Sequence, residues 1–226
     1  RVAAQKEGEE RITWLHETFT DLQDWRPLEF PKIPKHSTYR TVHLEGEKVL
    51  RAKSRDSASA LVFKKKFNIR DYPNLSWRWR IRNVYDRGNA EKKAGDDYPI
   101  RVYVIFKYAP SKAGLVLKAK YGLAKKLYGE YPPHSTLNYI WANKTHDKKL
   151  LTSTYTDRAK LLIQESGKDN TGTWIRERVN IVSDYRRAFG KEPPETASIA
   201  VMNDSDNTGE ASVSYIDDIR IWRERQ

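Results

Sequence analysis

Apolar and polar residues alternate with a period of two along much of the chain, which is the pattern of half-buried strands. In "LSWRWRI" the residues Leu75, Trp77, Trp79 and Ile81 share one side, and Ser76, Arg78 and Arg80 the other. "ALVFKKKFNI" puts Leu61, Phe63, Phe67 and Ile69 in phase, with Lys65 as an interruption. "IRVYVIF" sets Ile100, Val102, Val104 and Phe106 against Arg101, Tyr103 and Ile105. "TWIRERVNIV" (173–182) sets Ile175, Val179 and Ile181 against Arg176, Arg178 and Asn180. Further strands are expected over 48–54, 137–143, 159–166, 197–204 and 211–222. About nine strands separated by turn residues predict an all-β fold, a β-sandwich.

Two stretches have helical spacing instead. Over 111–129, Leu115, Ala119, Leu123 and Leu127 make an apolar stripe beside Lys118, Lys120, Lys125 and Lys126. Such a helix packs its stripe on its own domain or lies on a membrane surface. "SDYRRAFG" (183–190) predicts a short helix, with Ser183 as N-cap and Gly190 as stop. The polar residues 1–11 read as a disordered lead-in, and 12–226 as one domain.

Composition narrows the function classes. The 226 residues contain no cysteine, which excludes disulfides, thiolate metal sites and cysteine nucleophiles. No apolar run approaches the ~20 residues of a membrane span, and no signal peptide is visible. The net charge of +12 favours anionic partners. No nucleic-acid-binding signature accompanies it, so an acidic polysaccharide fits better than nucleic acid. Aromatic residues make up 12% of the chain and suit both sheets and sugar-binding surfaces. No P-loop, GxGxxG, GxSxG or HExxH motif is present, so no nucleotide or redox cofactor is expected.

Candidate chemistry centres on the arginines that alternate away from the apolar sets. Arg78, Arg80, Arg101 and Arg178, with Tyr103, Asn138 and Trp141, are the expected lining of one open sheet face. There guanidinium forks would take carboxylates or sulfates and an aromatic ring would stack on a sugar. Trp141 shares phase with Leu137 and Tyr139, which allows a core position instead. The rival is internal ion pairing with Asp96, Asp97, Asp184, Asp204 and Asp206 from adjoining loops. Glu177 is in phase with Ile175, Val179 and Ile181. A carboxylate on an apolar face is either paired, with Lys65 as a candidate, or carries a raised pKa usable in general acid–base catalysis of glycan cleavage. "NDSDNTGE" offers Asp204, Asp206 and Asn207 before Gly209, part of a calcium-loop pattern without its terminal glutamate.

The order "ETFTDLQDWRPLEF", "KVLRAKS", "YPNLSWRWRI", "YIDDIRIW" resembles the jelly-roll modules of galactose-binding-like fold, many of which bind carbohydrate. The pieces "SWRWR", "GDDYPIRVYVIF", "LNYIWAN", "WIRERVNIVSDYRRAFGKEPP" and "AVMNDSDNTGEASVSYIDDI" resemble more closely a bacterial family of unknown function. The resemblance implies a jelly-roll β-sandwich with two accessory helices, glycan as partner, and a periplasmic or cell-envelope location. It also implies a structural calcium between an early acidic residue and the last strand, here Glu17 and Asp218, with Asp217 as alternate.

Overall fold

The computed structural model describes residues 10–116, 118, 119, 122 and 132–225. Fourteen strands form two sheets packed face to face as a jelly-roll sandwich. In chain order they are β1 (Arg11–Glu17), β2 (Trp25–Glu29), β3 (Thr38–Leu44), β4 (Glu47–Arg55), β5 (Ser59–Phe63), β6 (Phe67–Asn68) and β7 (Asn74–Ile81). Then follow β8 (Arg101–Phe106), β9 (Ser135–Ala142), β10 (Leu150–Thr152), β11 (Ala159–Ser166), β12 (Ile175–Asn180), β13 (Thr196–Met202) and β14 (Ala211–Glu224). The six-stranded sheet runs β12-β7-β14-β4-β3, with β1 also paired to β14. The eight-stranded sheet runs β10-β11-β9-β8-β13-β5-β2, with β6 also paired to β13. Every pairing is antiparallel except β9 with β11. Turn chemistry fixes register at β3–β4: Glu45 and Gly46 both have positive φ, 55° and 86°, the geometry a two-residue hairpin loop requires.

The alternating apolar residues meet between the sheets. Trp77 and Trp79 of the smaller sheet lie 5.2 Å apart edge to face, and they pack on Tyr139 (5.5 Å) and Trp141 (5.9 Å) of the larger one. All four rings are fully buried. Burial of each large side chain contributes about 1.5–3 kcal/mol, so this stack anchors one sheet to the other. Trp141 is therefore core and lines no surface.

Three segments differ from the sequence reading. The expected strand over 61–69 breaks at Lys64–Lys66, where three exposed lysines leave the sheet and Lys65 reaches Asp24 at 3.3 Å. The helix after β12 begins at Ile181 rather than Ser183, because the Asn180 side chain caps it, accepting from the Ser183 amide at 2.9 Å. Gly190 ends it in the left-handed conformation (φ 67°), as expected. Of the stretch 111–129, residues 115, 116, 118, 119 and 122 are helical, and Leu115 and Val116 are exposed. The rest of the expected stripe, with residues 1–9, lies outside the described residues.

Candidate ligand groove

Alternation separates inward from outward residues, but a sandwich has two outward faces. Arg78, Arg80 and Arg178 lie on the six-stranded sheet, whereas Arg101, Tyr103 and Asn138 lie on the eight-stranded one. The single face expected to unite them is thus corrected to two faces on opposite sides of the molecule.

On the smaller sheet the arginines have internal partners. Arg78 donates to Asp217 from Nε (3.0 Å) and Nη2 (2.5 Å), and from Nη2 to Glu47 (2.6 Å). Arg80 reaches Glu45 at 2.7 Å, and Arg178 reaches Glu224 at 2.9 Å. Arg178 also lies over the Trp222 ring, and Arg78 over that of Trp174. Arg78 and Asp217 are a direct cross-strand pair of β7 and β14, and the other pairs tie elements that are not adjacent in the sheet.

The carboxylates expected to hold calcium are likewise engaged. Both Glu17 oxygens accept hydrogen bonds, from the Phe19 amide (2.5 Å) and Trp25 Nε1 (2.8 Å). Asp217 belongs to Arg78. Asp218 sits at a bulge in β14 with φ 53°, and three side chains converge on it: His16 (2.8 Å), Arg220 (2.8 Å) and Arg176 (2.5 Å). Burial raises its pKa, but the bonds from Arg176, Arg220 and His16 outweigh that and bring it down to about 2. The Glu17–Asp218 calcium site is corrected to an aspartate-centred ion cluster, because the guanidinium groups of Arg176 and Arg220 already neutralise Asp218 and would repel a metal cation there. A group with a depressed pKa stabilises the fold above its unfolded value and loses that effect as pH falls through its folded value. Asp218→Asn, a residue that tolerates positive φ, should cost about 1–2 kcal/mol at pH 7 after discounting for solvent. Urea denaturation should show that gap shrinking as pH falls from 4 toward about 2.

Glu177 faces inward at the edge strand β12 and accepts from Trp79 Nε1 at 3.2 Å. Desolvation first, then repulsion from Glu165, raise its pKa to about 7, with the Trp79 bond opposing. Lys65, exposed and paired with Asp24, is not its partner. Glu177 also shares no cleft with Arg78, which is outward on the same sheet, or with Arg101 on the other. Glycan cleavage with Glu177 as acid or base and Arg78 and Arg101 holding a substrate carboxylate would need the three side chains in one place, and the fold keeps them apart.

The larger sheet presents a different surface. Arg101, Tyr103 and Asn138 sit in the floor of a groove of about 430 Å³. Phe30 and Ile33 beyond β2 line it, as do Ser153 and Tyr155 of the β10–β11 turn and Asp204, Asp206 and Asn207 after β13. Tyr103 stands opposite Asn138 on β9 and Ala200 on β13, and Arg101 opposite Met202. Arg101 is 6% exposed; its Nη2 donates to Asp204, itself 1% exposed, while its Nε is buried without a partner. The rings of Tyr98 (4.8 Å) and Tyr103 (5.5 Å) flank the guanidinium and fix its plane. Asn138 donates from Nδ2 to Thr136 (3.0 Å) and to the Lys160 carbonyl (3.3 Å). Among the described residues its Oδ1 has no donor. Tyr155, 55% exposed, is held by a hydrogen bond from its hydroxyl to Asn207 (2.9 Å), with Lys93 over its ring.

Four aspartates from two loops gather here. Asp97 accepts from Asn207 N (3.3 Å) and Nδ2 (3.1 Å) and from Thr208 N (2.6 Å). It thereby ties the 96–97 loop to the 204–209 loop. Asp96 accepts from the Tyr98 hydroxyl at 2.9 Å. Carboxylate oxygens of Asp97, Asp204 and Asp206 lie within 4.8 Å of one another, close enough to hold a metal ion. Burial pushes the Asp204 carboxyl well above its ordinary range; Arg101 pulls it back, and Asp97 and Asp96 push it up again. Asp96 and Asp206 are raised as well, again chiefly by burial. Of the groove residues, Arg101, Tyr103 and Asn138 were legible as outward polar positions. Tyr155 was not, because an aromatic in the polar turn "STYTD" carries no periodicity.

Solved structures with similar architecture are distant in sequence. The endoglucanase 3 of family GH12 from Trichoderma harzianum aligns at a TM-score of 0.43 and 8% identity, over 99% of this chain and 100% of that one. A carbohydrate-binding module, CBM28, specific for non-crystalline cellulose, aligns at 0.43 and 13%, over 93% and 94%. The CBM27-1 module of Caldicellulosiruptor saccharolyticus, solved with mannohexaose, aligns at 0.38 and 11%, over 92% and 95%. No curated protein matches the chain. The family model for proteins of unknown function DUF3047 matches residues 23–220, so the chain belongs to that family.

Proposed function

We propose that this protein binds a glycan in the groove on the outer face of its eight-stranded sheet. The observation that carries this reading is Arg101, which lines the groove and whose Nε, a charged donor, has no acceptor among the described residues. A buried donor left unsatisfied costs about 1–3 kcal/mol, which an oxygen-rich ligand would recover. Around it stand the pairs a sugar hydroxyl needs. Asn138 Oδ1 and the carboxylates of Asp96 and Asp206 accept, and Arg101 donates. Tyr155 offers an exposed ring face and Tyr103 a second aromatic edge. The carboxylates of Asp97, Asp204 and Asp206 are also all-oxygen ligands of the kind calcium takes. The location that accompanies this function is the bacterial envelope or periplasm. Among the described residues no helix is long and apolar enough to cross a membrane.

The test is titration of an oligosaccharide selected from a glycan array, using Asn138→Ala and Tyr155→Ala. Asn138→Ala removes groove polarity from a rigid strand, and Tyr155→Ala removes the stacking face from an exposed turn. Each should weaken binding about tenfold or more, equivalent to about 1.4 kcal/mol. For Tyr155→Ala, unfolding should stay within about 0.5 kcal/mol of the parent, as for surface positions generally. Unchanged affinity in both variants would refute the groove as the site.

A further inference from the structure

A second cavity lies on the same sheet face. It measures about 320 Å³ and is lined by Arg26, Leu28, Val62, Lys66, Lys107 and Ser198, with Ile105 of β8 in its floor. Three strands place it directly along from the groove. On β8 the lining passes from Arg101 and Tyr103 to Ile105, and on β13 from Met202 to Ser198. From the β2 side it passes from Phe30 to Leu28 and Arg26. The strand directions agree, since β13 is antiparallel to β8 and runs the same way as β2, both being antiparallel to β5. From Arg101 to Ile105 the outward face extends about 13 Å along the strand, longer than one pyranose ring.

The two cavities differ in charge. The groove holds Asp96, Asp204 and Asp206 against Arg101 alone. The second cavity holds Arg26, Lys66 and Lys107, and no carboxylate lines it. All three cations are exposed, and among the described residues none has a carboxylate within ion-pairing distance. That contrasts with the opposite sheet, where Arg78, Arg80, Arg176 and Arg178 are each paired. The acidic end disfavours an anionic group and the basic end favours one, so the face as a whole is polar along the strand axis.

We propose that the second cavity is an anion subsite, and that the ligand is an oligosaccharide longer than one residue. Its unsubstituted ring occupies the Arg101–Asn138 groove, and a carboxylate, sulfate or phosphate substituent lies between Arg26, Lys66 and Lys107. This rests on the glycan reading and adds to it which part of the ligand is charged and where it sits. The anionic preference thereby belongs to Arg26 of the larger sheet and two lysines at its strand ends, not to the arginine rows of the smaller sheet.

The experiment compares matched oligosaccharide pairs: oligogalacturonate with its carboxyl-reduced form, chondroitin sulfate with desulfated chondroitin, and phosphorylated with dephosphorylated mannan. The parent and the triple variant R26Q/K66Q/K107Q are measured at low salt. The parent should bind at least one charged member about tenfold tighter than its neutral match, through up to three exposed ion pairs. The triple variant should bring that member down to the neutral level, leave the neutral member unchanged, and unfold at the parent's temperature. Raised salt should do to the parent what the substitutions do. If the parent binds charged and neutral members equally, or the variant weakens both alike, the anion subsite is refuted while the glycan groove stands. Binding of neither member of any pair would refute the groove, and the subsite with it.

Discussion

Replacing Arg101 with alanine should cost about 3–5 kcal/mol of folding stability, the loss expected when one partner is taken from a buried ion pair. Arg101 is the cation of a pocket that also contains Asp96, Asp204 and Asp206, and both Arg101 and Asp204 are shielded from water. Without it, Asp204 must take up a proton or remain an isolated buried charge, and Asp97 and Asp206 crowd it from one side. The 204–209 loop is held to the 96–97 loop by Asn207 and Thr208 on Asp97, so repulsion there strains both loops together. Urea denaturation at pH 7 measures the effect through the shift in midpoint. Arg101→Lys restores the charge but not the planar fork between two tyrosine rings, and should recover only part of the loss. A loss below about 1 kcal/mol in Arg101→Ala would mean that water reaches the pair, as at a surface salt bridge.

Glu177→Gln should stabilise the protein at pH 8 and leave it unchanged at pH 4. The folded-state pKa of Glu177 is raised from 4.5 to about 7, chiefly by desolvation. Between those two values the folded protein holds a proton that the unfolded chain has released. Stability therefore falls as pH rises from about 4.5 to about 7, and levels off above it. The full shift corresponds to about 3 kcal/mol, and partial solvent exposure at the sheet edge brings the expected change to about 1–2 kcal/mol. Glutamine keeps an acceptor for the Trp79 indole and cannot ionise. Its stability should thus lack the slope, and the two curves should diverge from about pH 5 upward. Parallel curves would show that Glu177 ionises freely in the folded state.

Much of this architecture is written in local alternation. Trp77 and Trp79 against Arg78 and Arg80 marks an inward and an outward side without any knowledge of partners. The strand ends at Ser166 and the stop at Gly190 follow from turn and cap chemistry just as local. Alternation does not say which sheet a strand joins. Arg78 and Arg101 carry the same signal, yet β7 and β8 lie in different layers, and that assignment depends on pairings between distant segments. The fate of Asp218 is similar. Its place near the chain end is readable, but His16 and Arg176 reach it across strand pairs 202 and 42 residues away in sequence. Lys65 kept the phase of Leu61 and Phe63, but the three consecutive lysines leave the sheet because ammonium groups are costly to bury. Tyr155 and the Asp96–Asp204 meeting come from loops, where periodicity carries no information.

Backbone amide chemical-shift mapping locates the bound ligand most directly. Upon addition of an array-selected oligosaccharide, shifts should cluster at Arg101–Tyr103, Asn138, Ser153–Tyr155 and Asp204–Asn207. Shifts centred instead on Arg78–Arg80 and Arg176–Arg178 of the opposite sheet would contradict it.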